Sequence, residues 1–365
     1  MTERKTMNRR TMIKTLVAGA ACSVVGWTYG QGRVHAADAV VPCDPRVRGP
    51  FPILSTPFTE TGAVDFEVLA KEARFVDWCG SPGMIWPQSN DSIELLTREE
   101  KLKGMEILAE TMRGRQTALC LGVQGKNTEE MLVFAKHAED LKPEVIISRP
   151  PDDGKTEEDM RQYWQALAEV VHRPVIIQTS GGSGYKGARP SVKLLVELAK
   201  ESPFFGYVKE EVPPILPRMQ ELVAAKPVIK CVYSAKGGFG WLHQSRFGTE
   251  GLITERAVYA DLLALIWKHM ENGDRVAAAD AYSRLLLMLN LKETIPGNNL
   301  RGFHLYVWKK RGIFKNMLSR HRLPADNGPD KGIVSEMKLT QEIVDEIESR
   351  FEVIQPYLRE GNFPG

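Results

Sequence analysis

The chain lacks the usual marks of a metal site, a nucleic-acid binder or a disulfide scaffold. Its seven histidines form no His-x-x-x-His pair and no cluster with cysteine, so zinc-type ligand spacing is missing. Cysteine is scarce, and after removal of a leader Cys43, Cys79, Cys120 and Cys231 remain, widely spaced. Three of these lie in apolar runs, which reads as buried free thiols rather than bridges. A formal net charge of +2 with 26% charged residues gives no reason to expect nucleic acid or an anionic membrane surface as a partner. Internal repeats and low-complexity tracts are absent, and residues 324–331 form the one clear polar linker.

What is present begins with a targeting segment. Arg4, Lys5, Arg9 and Arg10 precede an apolar stretch over residues 12–25, and Val34-His35-Ala36 offers a cleavage site. The stretch is too short and too rich in Gly and Ala for a membrane span. Asn8-Arg9-Arg10-Thr11-Met12-Ile13-Lys14 resembles the twin-arginine export signal, with Met12 where Phe is common and no Ser or Thr before the arginines. An ordinary secretory signal is the other reading. Ala20-Ala21-Cys22 hints at a lipoprotein site, against which Gly19 stands where Leu or Val is expected. Residues 1–36 are thus expected to be a removable signal and 37–48 a linker. The mature protein is expected to be periplasmic or extracellular, with the twin-arginine machinery as its export partner.

Beyond the leader, strand-length apolar runs alternate with helix-period segments. The runs fall at 52–58, 83–87, 117–123, 144–149, 174–179, 204–209, 228–234 and 251–254. Helical periods fill 65–78, 97–112, 127–140, 157–171, 191–200 and 214–224. Thr97 with Glu99 and Glu100, Thr128 with Glu129 and Glu130, and Asp65 supply helix-start chemistry. Continuous rather than alternating apolar runs belong to parallel strands covered on both faces. Eight evenly spaced units predict a closed (β/α)8 TIM barrel over 49–271, with a doubly wound open sheet as the rival. Further helical stretches at 256–270, 274–290, 300–311 and 340–357 predict extra C-terminal helices, with 272–365 a helical extension.

Lys209 ends the apolar run Phe204-Phe205-Gly206-Tyr207-Val208 and is followed by two glutamates. A lysine at the rim of a buried strand can be desolvated, which lowers its pKa from about 10.4 and frees a nucleophilic amine. Neutral lysine condenses with ketones to give a Schiff base. A surface lysine at a strand end is the ordinary alternative. In a barrel, chemistry gathers at the carboxyl ends of the strands, and Lys209 lies at the end of the sixth.

Several stretches together resemble the dihydrodipicolinate synthase / N-acetylneuraminate lyase family. Thr56-Pro57-Phe58, followed by Thr61-Gly62-Ala63-Val64-Asp65, is similar to the family opening. Leu95-Leu96-Thr97-Arg98-Glu99-Glu100 is similar to its Leu-(Ser/Thr)-x-x-Glu helix start, and Pro150-Pro151 to the prolines ending its fourth strand. Tyr207-Val208-Lys209-Glu210 resembles Gly-Ile-Lys-(Asp/Glu), and Gly251-Leu252-Ile253-Thr254 resembles Gly-x-Ile-Ser. The resemblance implies a class I aldolase with Lys209 as the Schiff-base residue, a pyruvate-like or sugar-derived 2-oxo acid as substrate, and no cofactor. It also implies dimers or tetramers, although no residue pattern reveals an assembly.

The departures fall on the site. Where the family carries Gly-Thr-Thr-Gly-Glu, this chain has Gln88-Ser89-Asn90-Asp91-Ser92. Ser89 and Asn90 retain donors for a substrate carboxylate, while Asp91 adds a negative charge nearby. Where the family has Tyr-Asn-x-Pro, with the tyrosine relaying protons, this chain has Ile177-Gln178-Thr179-Ser180-Gly181-Gly182, and the tyrosine is absent. Thr179 is expected to line the mouth, and Tyr185 is a candidate stand-in from the following glycine loop. Asp152 and Asp153 replace aromatic residues after the paired prolines. Glu210, Glu211, Lys236, Asp91 and Asp152 are further candidates for the lost relay, each also readable as a solvated or structural charge. A lost relay of this kind costs about 10²–10⁴-fold in rate.

Three other readings compete. Gly182-Ser183-Gly184-Tyr185-Lys186-Gly187 fits Gly-x-Gly-x-x-Gly, but Ala188-Arg189-Pro190 separates it from the helix that a dinucleotide site needs. Lys230 and Lys236 rival Lys209 as the reactive amine. An exported, non-catalytic binder of a 2-oxo acid or sugar acid is the alternative function.

Overall fold

The computed structural model describes residues 43–89, 91, 93–181, 185–291, 300–322 and 333–365, all within one compact unit. The leader expectation for residues 1–36, Asn90, and the polar linker at 324–331 lie outside the described residues.

Eight parallel strands form the barrel. They are β1 (Gly49–Pro52), β2 (Gly83–Trp86), β3 (Ala118–Gly122), β4 (Val145–Ser148), β5 (Val175–Gln178), β6 (Tyr207–Lys209), β7 (Cys231–Ser234) and β8 (Gly251–Thr254). Neighbours in sequence are neighbours in the sheet from β2 to β8, and β8 pairs with β1. A bridge from Ile53 to Ile85 joins the β1 side to β2, with Leu54 N–H donating to Ile85 C=O at 2.9 Å. The cylinder is therefore closed, which excludes the open doubly wound sheet. The alternating helices α1 (Phe66–Trp78), α2 (Arg98–Met112), α3 (Thr128–Leu141), α4 (Glu157–Ala168), α5 (Val192–Glu201) and α6 (Ile215–Ala224) follow the first six strands. Side-chain oxygens of Asp65, Thr97, Asn127, Thr156 and Ser191 cap five of them. The connection after β7 holds only the single turn α7 (Trp241–Gln244) and short 3₁₀ pieces, in keeping with its glycine content.

The two-residue period of a strand sorts the side chains. Phe51, Ile53, Ile85, Cys120, Ile147, Ile176, Tyr207, Tyr233 and Ile253 fill the interior as one apolar cluster. Their neighbours Met84, Leu121, Ile146, Ile177, Val208, Val232 and Leu252 face the helices. Gly83 makes room for the Phe51 ring, since a Cβ there would lie 2.2 Å from it. Interior packing at one end leaves the next inward positions, Gln178 after Ile176 and Lys209 after Tyr207, at the carboxyl rim. The four described cysteines are free and buried.

Two expectations need correction. The first strand starts at Gly49 rather than 52, because Gly49 N–H already bonds Glu250 C=O at 2.9 Å. The C-terminal segment is not purely helical. After α8 (Ala260–Glu271), α9 (Arg275–Leu289) and α10 (Leu300–Lys310) comes an antiparallel pair, β9 (Leu318–Arg322) with β10 (Ile333–Glu336), before α11 (Gln341–Ile354). Leu-Ser-Arg-His-Arg has no run of apolar residues to mark β9.

Candidate active site

Lys209 is the last residue of β6 and lies in register with Gln178 of β5 and Tyr233 of β7. It is 1% exposed. Its Nζ lies 3.4 Å from Gln178 Oε1 and 3.4 Å from Glu211 Oε1. Gln178 Nε2 donates to Glu211 Oε2 at 2.8 Å and to Ser180 C=O at 2.6 Å. The three side chains thus form a closed ring in which a neutral amide touches both charged partners. The amine is out of solvent as expected, but it is an ion pair rather than a lone amine among apolar groups.

Thr179 does not line an opening. It is fully buried, and its hydroxyl donates toward Glu210 Oε1 at 2.9 Å and Lys209 C=O at 3.2 Å while accepting Glu211 N–H at 2.9 Å. β5 residues alternate faces, so the neighbour of inward Gln178 points away from the barrel lumen. Glu210 shares that outer side. It accepts Val212 N–H at 2.7 Å and pairs with Arg218 of α6 at 3.1 Å.

Glu255, just after β8, adds a second carboxylate to the rim. Burial pushes its carboxyl up, but the Arg256 guanidinium and, more weakly, the Lys209 ammonium hold it below the usual range. Arg256 Nη2 lies 3.3 Å from Glu255 Oε1, and its Nη1 lies 2.6 Å from Nε2 of buried His304 on α10. Burial, then the charges of Arg256 and Arg301, hold His304 well below the ordinary imidazole range and so neutral. Its Nε2 is therefore the acceptor of that contact.

Across the rim from Lys209, on the β1 side, Asp91 accepts Thr56 N–H at 2.9 Å and also the Thr56 hydroxyl. Arg301 of α10 binds the same Asp91 oxygen at 2.9 Å and Thr56 C=O at 2.9 Å. The expected extra negative charge is thus neutralised inside the protein. Buried Glu72 accepts Ser55 N–H at 2.8 Å, and burial raises its carboxyl well above the usual range.

Ser89 is 3% exposed, and its Oγ has no hydrogen-bond partner among the described residues. It lines an open cleft of about 460 Å³ together with Glu94, Arg149, Asp152, Tyr185 and Lys186. Arg149 is 6% exposed and binds Glu94 at 2.7 Å, Asp152 at 2.9 Å and Gly181 C=O at 3.0 Å. Tyr185 reaches this cleft, but its hydroxyl donates to Ala188 C=O at 3.0 Å and its ring packs on Gly181. Ser89 and Tyr185 thus line one cleft, while Lys209 and Thr179 are buried at the ends of β6 and β5. Lys230 lies before β7, at the far end of the barrel, with its Nζ on Pro203 C=O. Lys236 is an exposed residue with φ of 54°. Lys230 is thus at the wrong end of the barrel, and Lys236, just past the carboxyl end of β7, is not desolvated. Arg149 and Glu255 escaped sequence reading. Each sits directly after a strand, at Ser148 and Thr254 respectively, and that position was the available signal.

Comparison with known proteins follows the same lines. The profile of the Dihydrodipicolinate synthetase family matches residues 46–299. A 4-hydroxy-tetrahydrodipicolinate synthase of Enterococcus faecalis is 24% identical over 244 residues, covering 66% of this chain and 82% of that protein. An L-2-keto-3-deoxyarabonate dehydratase of Azospirillum brasilense is 25% identical over 186 residues, covering 49% and 58%. The crystal structure of dihydrodipicolinate synthase from Aquifex aeolicus superposes with a TM-score of 0.69 at 20% identity, covering 86% of this chain and all of that one. That last likeness bears on the fold alone.

Proposed function

Because the chain belongs to the Dihydrodipicolinate synthetase family, we propose that it is a Schiff-base-forming lyase or aldolase of a pyruvate-like or sugar-derived 2-oxo acid. The observation that carries this reading is the Lys209 amine, 1% exposed and inward-facing at the carboxyl end of β6. The amine adds to the ketone carbon, water leaves, and a protonated imine remains. That imine withdraws electrons from the adjacent carbon, so the next carbon–carbon or carbon–oxygen bond can form or break through an enamine. Ser89, Asn90 and the Arg149 cleft are the proposed anchor for the rest of the substrate. A buried donor without a partner is unfavourable until a ligand satisfies it, which suits Ser89 to that task. Carbon–oxygen cleavage of a sugar-derived acid draws support from the dehydratase relative. Export by residues 1–36 to the periplasm or beyond is part of the same proposal and rests on the paired arginines.

The test is reduction with borohydride in the presence of pyruvate and a panel of sugar-derived 2-oxo acids, followed by peptide mass analysis. An adduct on Lys209 is the expected result. A second reading, binding without turnover, is favoured by the absence of the family's relay tyrosine from the strand-five ending Ile177-Gln178-Thr179. Saturable binding with no adduct from any acid would establish that reading instead.

A further inference from the structure

We propose that Glu211 is the acid–base group of imine formation, exchanging protons directly with Lys209; the inference rests on the Schiff-base reading above. The argument starts from strand geometry. Residues two apart on an extended chain point to the same side. Glu211 therefore returns to the face of Lys209, whereas Glu210 turns to the helix layer and Arg218.

Glu211 is 5% exposed, and the cation drawn against it among the described residues is Lys209, at 3.4 Å. It is held from both ends. Its backbone N–H donates to Thr179 Oγ1 at 2.9 Å, and its Oε2 accepts Gln178 Nε2 at 2.8 Å. Gln178 cannot titrate, so it orients the carboxylate without competing for the proton. The chain thus places at one spot an amide and a carboxylate bonded to it, beside the amine, in a strand-five ending that lacks the family's tyrosine.

The other candidates are committed elsewhere. Asp91 is bound by Arg301 at 2.9 Å, Asp152 by Arg149 at 2.9 Å, and Glu255 pairs with Arg256 at 3.3 Å. Tyr185 spends its hydroxyl proton on Ala188 C=O at 3.0 Å.

The proton count closes. Glu211 takes one proton from the Lys209 ammonium, and the neutral amine attacks the ketone carbon as the C=O electron pair moves to oxygen. The nitrogen of the adduct passes a proton to that oxygen, giving a carbinolamine. Glu211 then returns its proton to the hydroxyl, the C–O bond breaks, and water departs. The products are a protonated imine, one water and the carboxylate restored. No oxidant or further reactant enters.

Timed borohydride quenches with the 2-oxo acid that labels wild type measure the rate of imine formation. Glu211→Gln, which preserves shape, is expected to form the same final adduct about 10²–10⁴-fold more slowly. Glu211→Ala is expected to be equally slow and to accelerate with added formate, while Glu211→Asp recovers part of the rate. A purely structural role would not respond to formate. Wild-type rates in Glu211→Gln, or slow rates in Glu211→Ala that formate leaves unchanged, overturn the assignment. Circular dichroism identifies a variant that fails to fold, and Glu211→Gln then decides alone. An unlabelled wild type would instead remove the Schiff-base reading, and this inference with it.

Discussion

Two polar clusters occupy the carboxyl rim of the same barrel, and they are built differently. Around Thr56, Asp91 and Arg301 the contacts are short, with three bonds at 2.9 Å. Around Lys209 the amine has two polar partners among the described residues, each at 3.4 Å. Charge-assisted hydrogen bonds that serve stability sit near 2.7–2.9 Å. The β1 side therefore holds its charges in place, while the β6 side keeps an amine close to its partners but free to be replaced at each. The first arrangement suits a scaffold, and the second suits a group that must leave its ion pair to react.

The comparison is sharpened most by Lys209→Arg. Charge and bulk persist, but a guanidinium does not form the imine, so complete loss of the borohydride adduct is expected by intact mass. Next comes Arg301→Ala, which strands a buried aspartate; a loss of about 3 kcal/mol is expected in urea denaturation. Thr179→Val removes a hydroxyl that serves Glu210, Glu211 and the Lys209 carbonyl, and is expected to cost about 1–3 kcal/mol by the same measurement. Two buried groups then set opposite pH responses. His304 is held below its unfolded value of about 6.5, so its contribution is present above that pH and is lost as pH falls from there through the lower folded value. Glu72 is held above its unfolded value, so its contribution is present at low pH and fades as pH rises through the folded value. Melting temperatures across pH should show the loss below about pH 6.5 disappear in His304→Gln and the loss on raising pH above the ordinary carboxylate range disappear in Glu72→Gln. The smallest effect on stability is expected for Ser89→Ala, within about 0.5 kcal/mol, because its hydroxyl has no described partner to lose. The same variant should raise the substrate concentration needed for half-maximal labelling, and unchanged labelling would separate Ser89 from the substrate.

Much of the fold was legible because parallel strands buried on both faces leave continuous apolar runs, and eight of them alternate with capped helices. Lys209 was legible for the same reason, as the first polar residue after such a run. Its partners were harder to read. Glu210 and Glu211 look alike in sequence, and only the knowledge that Lys209 faces inward tells which of them shares the lumen. Thr179 was misplaced by that one-residue parity: its neighbour Gln178 holds the inward position. The hairpin of β9 and β10 stayed hidden because its stabilising residue is Arg320, a buried cation that hydropathy cannot flag. Arg320 binds Glu100 through both terminal guanidinium nitrogens, at 2.7 and 2.8 Å, and also holds Gly62 C=O.

That clasp has a consequence for synthesis. Arg301 meets Thr56 across 245 positions of chain, and Arg320 meets Gly62 across 258. A ribosome therefore releases the early rim long before the cations that fasten it. Until those later residues leave the ribosome, the nascent cylinder carries an aspartate without its counter-ion and a loop without its tie, so a stretch made late is what finishes one made early.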